Sequence, residues 1–240
     1  MFGFNLDADF IIQIVLSFGA LLMAVVLHEN AHGRVAQRLG DPTAQQMGRL
    51  TLNPLAHIDP VGSLVVPVGM ALVGLPPFGW ARPVPINPLY FPRPYFGMML
   101  VALAGPLTNL TMMGLSALIL RLLDLGYPDA AQLVNSSSHL LVPGVGFGMQ
   151  LLLGVFYFLL VFGLVNLILA LFNLMPIPPL DGSRVLTYFL PEAGRRFMIS
   201  IERFALFIAI VVIVALQWSH LLSSAFEPLT DWWFRLVLPA

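Results

Sequence analysis

From Phe10 to Leu27 the chain carries no charged residue, and it then continues without a proline into Leu27-His28-Glu29-Asn30-Ala31-His32. An uncharged run of this length approaches the roughly 20 residues a helix needs to cross a bilayer. If the helix carries straight on, His28 and His32, four residues apart, project from one face and can share a metal ion. Glu29, beside the first histidine, can reach a water on that metal and take its proton. The fold must therefore accommodate a polar, metal-binding face at the end of a membrane helix, and ionisable groups in such segments are rare and usually functional.

The remaining sequence suits that setting. Of 240 residues 58% are hydrophobic and only 10% are charged, against about 25% in soluble domains, and mean hydropathy is +0.88. These values predict an all-α polytopic membrane protein whose residues 1–240 form a single integral membrane domain. The net charge of −1, with no basic tail or patch, speaks against a nucleic-acid partner. Cysteine is absent, which excludes disulfides and thiolate ligands, so any metal must be held by His, Asp or Glu. The N-terminus lacks a basic region, carries Asp7 and Asp9, and feeds directly into the histidine motif, so it reads as a retained helix and not as a cleaved signal.

Taken in order, the first helix is expected from about Leu6 to Leu39, stopped by Gly40-Asp41-Pro42. Residues Asp41 to Pro60 read as a polar loop. Val61 to Leu75 is apolar but short and holds Pro67 and several glycines, which predicts a re-entrant segment or hairpin. The prolines at 76, 77, 83, 85, 88, 92 and 94 exclude a helix from Pro76 to Pro94, and the stretch around Phe78 to Tyr90 reads as an extended, membrane-associated loop, either an edge strand or a rigid proline linker. Further full spans are expected at about Phe96–Leu123, Met149–Leu174 and Phe204–Leu222, about four in all, with Leu125–Gly148 as an outer loop. The tail with Trp232, Trp233 and Arg235 is expected in the membrane interface.

Arg34, Arg38 and Arg49 follow the first span and Arg184, Arg195, Arg196 and Arg203 follow the third. The positive-inside rule then puts the N-terminus outside and the far ends of both spans in the cytoplasm, in a multi-pass protein of the cell membrane. If Val61–Leu75 does not cross, Asp181 arrives on the same side as His28 and His32.

Two histidines leave a metal short of a third protein ligand. Arg38 stands where the longer zincin pattern has another histidine. The candidates are His57, Asp59, Asp181, His139 and His220, and Asp181 is the best of them, because it follows a proline-rich break that closes a membrane span. His57 can also be a substrate contact or an ordinary loop hydrogen-bonder.

With these residues in view, the chain resembles the site-2 protease family of intramembrane zinc metalloproteases. The resemblance rests on His28-Glu29-Asn30-Ala31-His32 and on Asn173-Leu174-Met175-Pro176-Ile177-Pro178-Pro179-Leu180-Asp181-Gly182. It is joined by Gly105-Pro106-Leu107-Thr108-Asn109 and by the Gly-Trp-Ala-Arg-Pro-Val-Pro stretch at 79–85. It covers a catalytic core of about residues 10–185 and leaves a C-terminal helix and tail at 197–240. There is no room for a PDZ domain or paired CBS repeats, so the resemblance is to the minimal branch. It implies one zinc ion per chain held by His28, His32 and Asp181, Glu29 as general base, and Asn173 orienting substrate or stabilising the oxyanion. Asn109 and His57 are weaker candidates for substrate or oxyanion contacts. The implied partners are transmembrane-helix protein substrates within the lipid bilayer; a homo-oligomer is left open. The alternative is a membrane metal transporter whose His and Asp line an ion path. It predicts metal flux and no dependence on Glu29.

Overall fold

The computed structural model describes residues 7–66, 69–70, 81–136, 139–205, 207–208, 211 and 221–238. Its long helices are α1 (Ala8–Arg38), α3 (Pro94–Gly126) and α5 (Phe147–Asn173). At 31, 33 and 27 residues they are each long and apolar enough to cross a membrane, extending about 40–50 Å at the helical rise. Shorter helices are α2 (Thr43–Gln46), α4 (Pro128–Ser136), α6 (Asp181–Phe189), α7 (Glu192–Glu202) and α8 (Leu221–Val237). No strand occurs among the described residues.

The chain divides into two compact units, one of Met1–Ala24, Leu110–Leu169 and Phe207–Ala240, the other of Val25–Asn109 and Ala170–Leu206. In the first, Leu120, Leu153, Phe156, Leu160, Leu167, Trp233 and Val237 form a buried core with Ala130 and Ala131. Of the tail residues expected at the interface, Trp232 and Arg235 are exposed and Trp233 is turned inward. Its side chain is fully buried, donates Nε1–H to Leu160 O at 3.1 Å, and fills a slot beside Gly163, where a Cβ would lie 2.2 Å from its ring. The outer loop also needs correcting, since Pro128 opens α4 within it, at the helix position where a missing N–H costs nothing. Asp9 draws the end of that connection in by accepting from Leu140 N at 2.5 Å and Leu141 N at 2.7 Å. His139 Nδ1 lies 3.3 Å from the same carboxylate.

In the second unit α1 ends as its sequence requires. Gly40 adopts φ +104°, Gly40 N bonds Gln37 O and Asp41 N bonds Ala36 O, each at 3.0 Å, the paired closure of a helix C-terminus. Asp41 is then buried and accepts from Thr43 N at 2.9 Å and Asn87 N at 2.7 Å. Asp59 caps the short π-helical turn Val61–Val65, accepting from Val61 N and Gly62 N at 2.9 and 2.7 Å, and stands apart from the one group of possible metal ligands among the described residues. Residues 67–68 and 71–75 of the expected Val61–Leu75 segment, residues 78–80 and most of the expected span at Phe204–Leu222 lie outside the described residues.

The edge strand expected at Phe78–Tyr90 is absent from its described part, which is an irregular strap over 81–87 followed by a 3-10 turn at Pro88–Tyr90. The reason is donor supply. Pro83 and Pro85 have no N–H for a ladder, and the amide between them, Val84 N–H, is given to the Glu29 carboxylate at 2.9 Å. Strap and helices pack through Ala36, Phe91 and Val101, with Val35, Ile86 and Met98 around them.

Candidate metal centre

His28 and His32 leave the last third of α1 on one face, as the i, i+4 spacing demands, with ring centroids 4.5 Å apart and planes at 87°. Each ring is fixed through its Nδ1. His32 Nδ1 lies 2.7 Å from Val101 O, which can only accept, so Nδ1 carries the proton and Nε2 an outward lone pair. His28 Nδ1 lies 2.5 Å from Asn109 Oδ1 in the same relation. Both acceptors sit on α3, one turn either side of Gly105. A Cβ at Gly105 would lie 2.5 Å from His28 Cε1 and from His32 Nε2, so only glycine lets the helix backbone come this close to the rings.

Asp181 completes the group. α5 ends at Asn173, the chain folds through Pro176-Ile177-Pro178-Pro179 with Leu180 N bonding Ile177 O at 2.9 Å, and Asp181 begins α6. Gly182 makes the turn possible, because a Cβ there would be 2.1 Å from Leu174 O. Asp181 Oδ2 lies 3.2 Å from each Nε2, and the two Nε2 atoms are 2.9 Å apart.

Three lone-pair-bearing atoms thus face one another inside a protein, with Asp181 Oδ2 buried and making no hydrogen bond of acceptable geometry. Such an arrangement is unfavourable by itself and is what a cation requires. The ligand atoms of His28, His32 and Asp181 all lie within 4.8 Å of one another. Two imidazoles and a carboxylate are a donor set suited to zinc in hydrolytic centres, where three protein ligands leave a fourth position open.

The other described sequence candidates are not part of this trio, and His220 lies outside the described residues. Asn109 is fully buried, and its Oδ1 lies against His28 Nδ1, where it holds the ring. His57 is buried, places Nε2 2.9 Å from Thr51 O, and accepts Arg82 N at its own carbonyl at 2.8 Å. It packs a loop and does not join the metal group. Asn173 is half-buried at the end of α5. Glu29 is half-buried and gives one carboxylate oxygen to Val84 N. Sequence reasoning named Gly105 and Gly182 only within their motifs and gave the Val101 carbonyl and Arg49 no part in the site.

Comparison with known proteins agrees with this geometry. The family model described as Peptidase family M50 matches residues 17–216. "Putative zinc metalloprotease YwhC" of Bacillus subtilis is 34% identical over 206 residues, covering 84% of this chain and 81% of its own. "Putative zinc metalloprotease Rip2" of Mycolicibacterium smegmatis is 30% identical over 226 residues, covering 93% of this chain and 71% of its own. No solved structure matches the chain.

Proposed function

The chain belongs to peptidase family M50, and from that premise we propose that this membrane zinc metalloprotease cuts peptide bonds in or near the transmembrane segments of other membrane proteins. The observation that carries the reading is the convergence of His28 Nε2, His32 Nε2 and Asp181 Oδ2 with both Nδ1 atoms already occupied. These three side chains would hold one zinc ion. Bound zinc supplies Lewis acidity, acidifying water and polarising the scissile carbonyl. Glu29, next in sequence to His28, takes the proton of the attacking water and delivers it to the leaving amine. Its contact with Val84 N uses one of about four lone-pair directions on the carboxylate, leaving others for the proton. Asn173 offers a side-chain amide at the end of the helix that leads to Asp181, suited to a developing oxyanion.

A transmembrane substrate hides its amides in its own helix and must present an unwound stretch to this centre. A cavity of about 550 Å³ lined in part by Val84, Ile86, Tyr95, Met98, Ser183 and Thr187 is large enough to take several such residues. It has the strap whose Val84 holds Glu29 on one side and α6, which begins with Asp181, on another. We place the centre near the cytoplasmic side with the N-terminus outside, on the arginine distribution. Because the chain has no cysteine, a single Cys introduced at Asp7 and labelled with an impermeant maleimide on whole cells tests this sidedness. Labelling from outside supports it, and labelling only after lysis contradicts it. The activity itself is tested with purified protein and a model transmembrane peptide. Cleavage that a chelator abolishes and added zinc restores supports the reading, and cleavage indifferent to chelation refutes it.

A further inference from the structure

Arg49 lies in the loop after α2, yet its side chain is only 6% exposed. It has no carboxylate within ion-pair distance among the described residues. Its guanidinium instead donates to two consecutive carbonyls of the strap, Arg82 O at 2.8 Å and Pro83 O at 3.3 Å, while its Nε is buried without a hydrogen-bond partner. A buried guanidinium that leaves one donor unsatisfied is costly, and an apolar residue would fill the space more favourably. What this one holds gives it a purpose. Pro83 O and Val84 N belong to a single planar peptide group and point in opposite directions. Arg49 grips the oxygen end of that plane, and the nitrogen end donates to Glu29 Oε2 at 2.9 Å.

With Pro83 and Pro85 on either side, Val84 supplies the only N–H of the three-residue stretch, so the strap cannot turn another of these amides to Glu29. The strap has no ladder of its own. Its place is set from outside, by Arg49, by Arg82 N on His57 O at 2.8 Å, and by Asn87 N on Asp41 Oδ2 at 2.7 Å. Of these contacts only that of Arg49 falls on the peptide plane that holds Glu29. We infer that Arg49 is a positioning residue for the catalytic base, acting through the Pro83–Val84 peptide to fix the Glu29 carboxylate. This rests on Glu29 being the base.

The test is steady-state cleavage by the full chain carrying Arg49→Met, Arg49→Lys or Val84→Pro, with zinc content measured on each. A misplaced base affects the chemical step, so Arg49→Met and Val84→Pro should each lower kcat about 10- to 100-fold. In Arg49→Met, KM should stay within about a factor of two, and both variants should keep full zinc occupancy. Arg49→Lys, which keeps a donor for Pro83 O, should fall between wild type and Arg49→Met. Because both residues act through one peptide, the double variant should be no slower than the slower single. The inference is overturned by a kcat unchanged in Val84→Pro, by loss confined to KM or to zinc, by Lys no better than Met, or by additive losses. The Val84→Pro arm decides even if Arg49→Met does not fold. Glu29→Gln run alongside separates the two claims: if it retains cleavage, the base assignment fails first, and if it alone is inactive, only the role of Arg49 fails.

Discussion

Replacing Gly105 with alanine adds one methyl group at the most crowded point of the metal centre. The new Cβ would sit 2.5 Å from His28 Cε1, 2.5 Å from His32 Nε2 and 2.6 Å from His28 Nε2. Non-bonded carbon contacts are comfortable at about 3.5–4.0 Å, so either the rings or α3 must retreat by about 1 Å. The rings cannot turn aside freely, because Asn109 Oδ1 and Val101 O hold their Nδ1 atoms from the same helix. Ligand distances in a metal site tolerate about 0.2 Å, and losing one supporting hydrogen bond already costs about 10- to 100-fold in affinity. Gly105→Ala should therefore weaken zinc binding by at least about 100-fold, which corresponds to about 2.8 kcal/mol. Overpacking should destabilise the fold by a further 1–3 kcal/mol or so. The assay is zinc stoichiometry after dialysis against a graded chelator series, with cleavage measured on the same samples. Gly114→Ala, on the same helix with nothing within 4 Å of its added methyl, is the control and should retain metal and activity. Wild-type zinc retention in Gly105→Ala would refute the packing argument.

Three further outcomes follow from the same geometry. Asn109→Leu should lower zinc affinity about 10- to 100-fold by freeing the His28 ring, and Asn109→Asp, which keeps an acceptor, should recover most of it; equal affinities in the chelator series would disprove the ring-holding role. Gly182→Ala pushes a Cβ to 2.1 Å from the Leu174 carbonyl, a backbone atom that cannot swing away, so Asp181 should be displaced and zinc lost on metal analysis. Trp233→Ala should cost about 3–5 kcal/mol in reversible unfolding from mild detergent, with zinc content in the folded fraction unchanged, since Trp233 belongs to the unit of Leu110–Leu169 and not to that of the metal centre.

How far these features could be read in advance depended on whether they were local. The spacing of His28 and His32 dictates a shared face wherever a helix forms, and Gly40-Asp41-Pro42 dictates where α1 stops, so both were legible from neighbours in the chain. Asp181 was legible from the proline break before it and from the count of membrane crossings. The side of α3 on which Asn109 projects was not. Sequence placed it on a helix among small residues, and only the structure shows its contact with His28. The alternation Pro83-Val84-Pro85-Ile86 looks like a strand, but two of its four residues lack the donor a ladder needs, and the lone Val84 amide went to a side chain. Trp233 resembled an interfacial anchor because it belongs to a tryptophan pair between Asp231 and Arg235; the slot that buries it is opened by Gly163, far away in the chain. Arg49 gave no sign of its role, since the carbonyls it holds come from a distant proline strap.

The central claim is that His28, His32 and Asp181 hold zinc while Glu29 does the proton chemistry. The most direct measurement is zinc content and peptide cleavage, determined together on purified wild type, Glu29→Gln and Asp181→Ala. Glu29→Gln should keep about one zinc per chain and lose cleavage, whereas Asp181→Ala should lose both. Cleavage surviving in Glu29→Gln, or full zinc retention in Asp181→Ala, would contradict it.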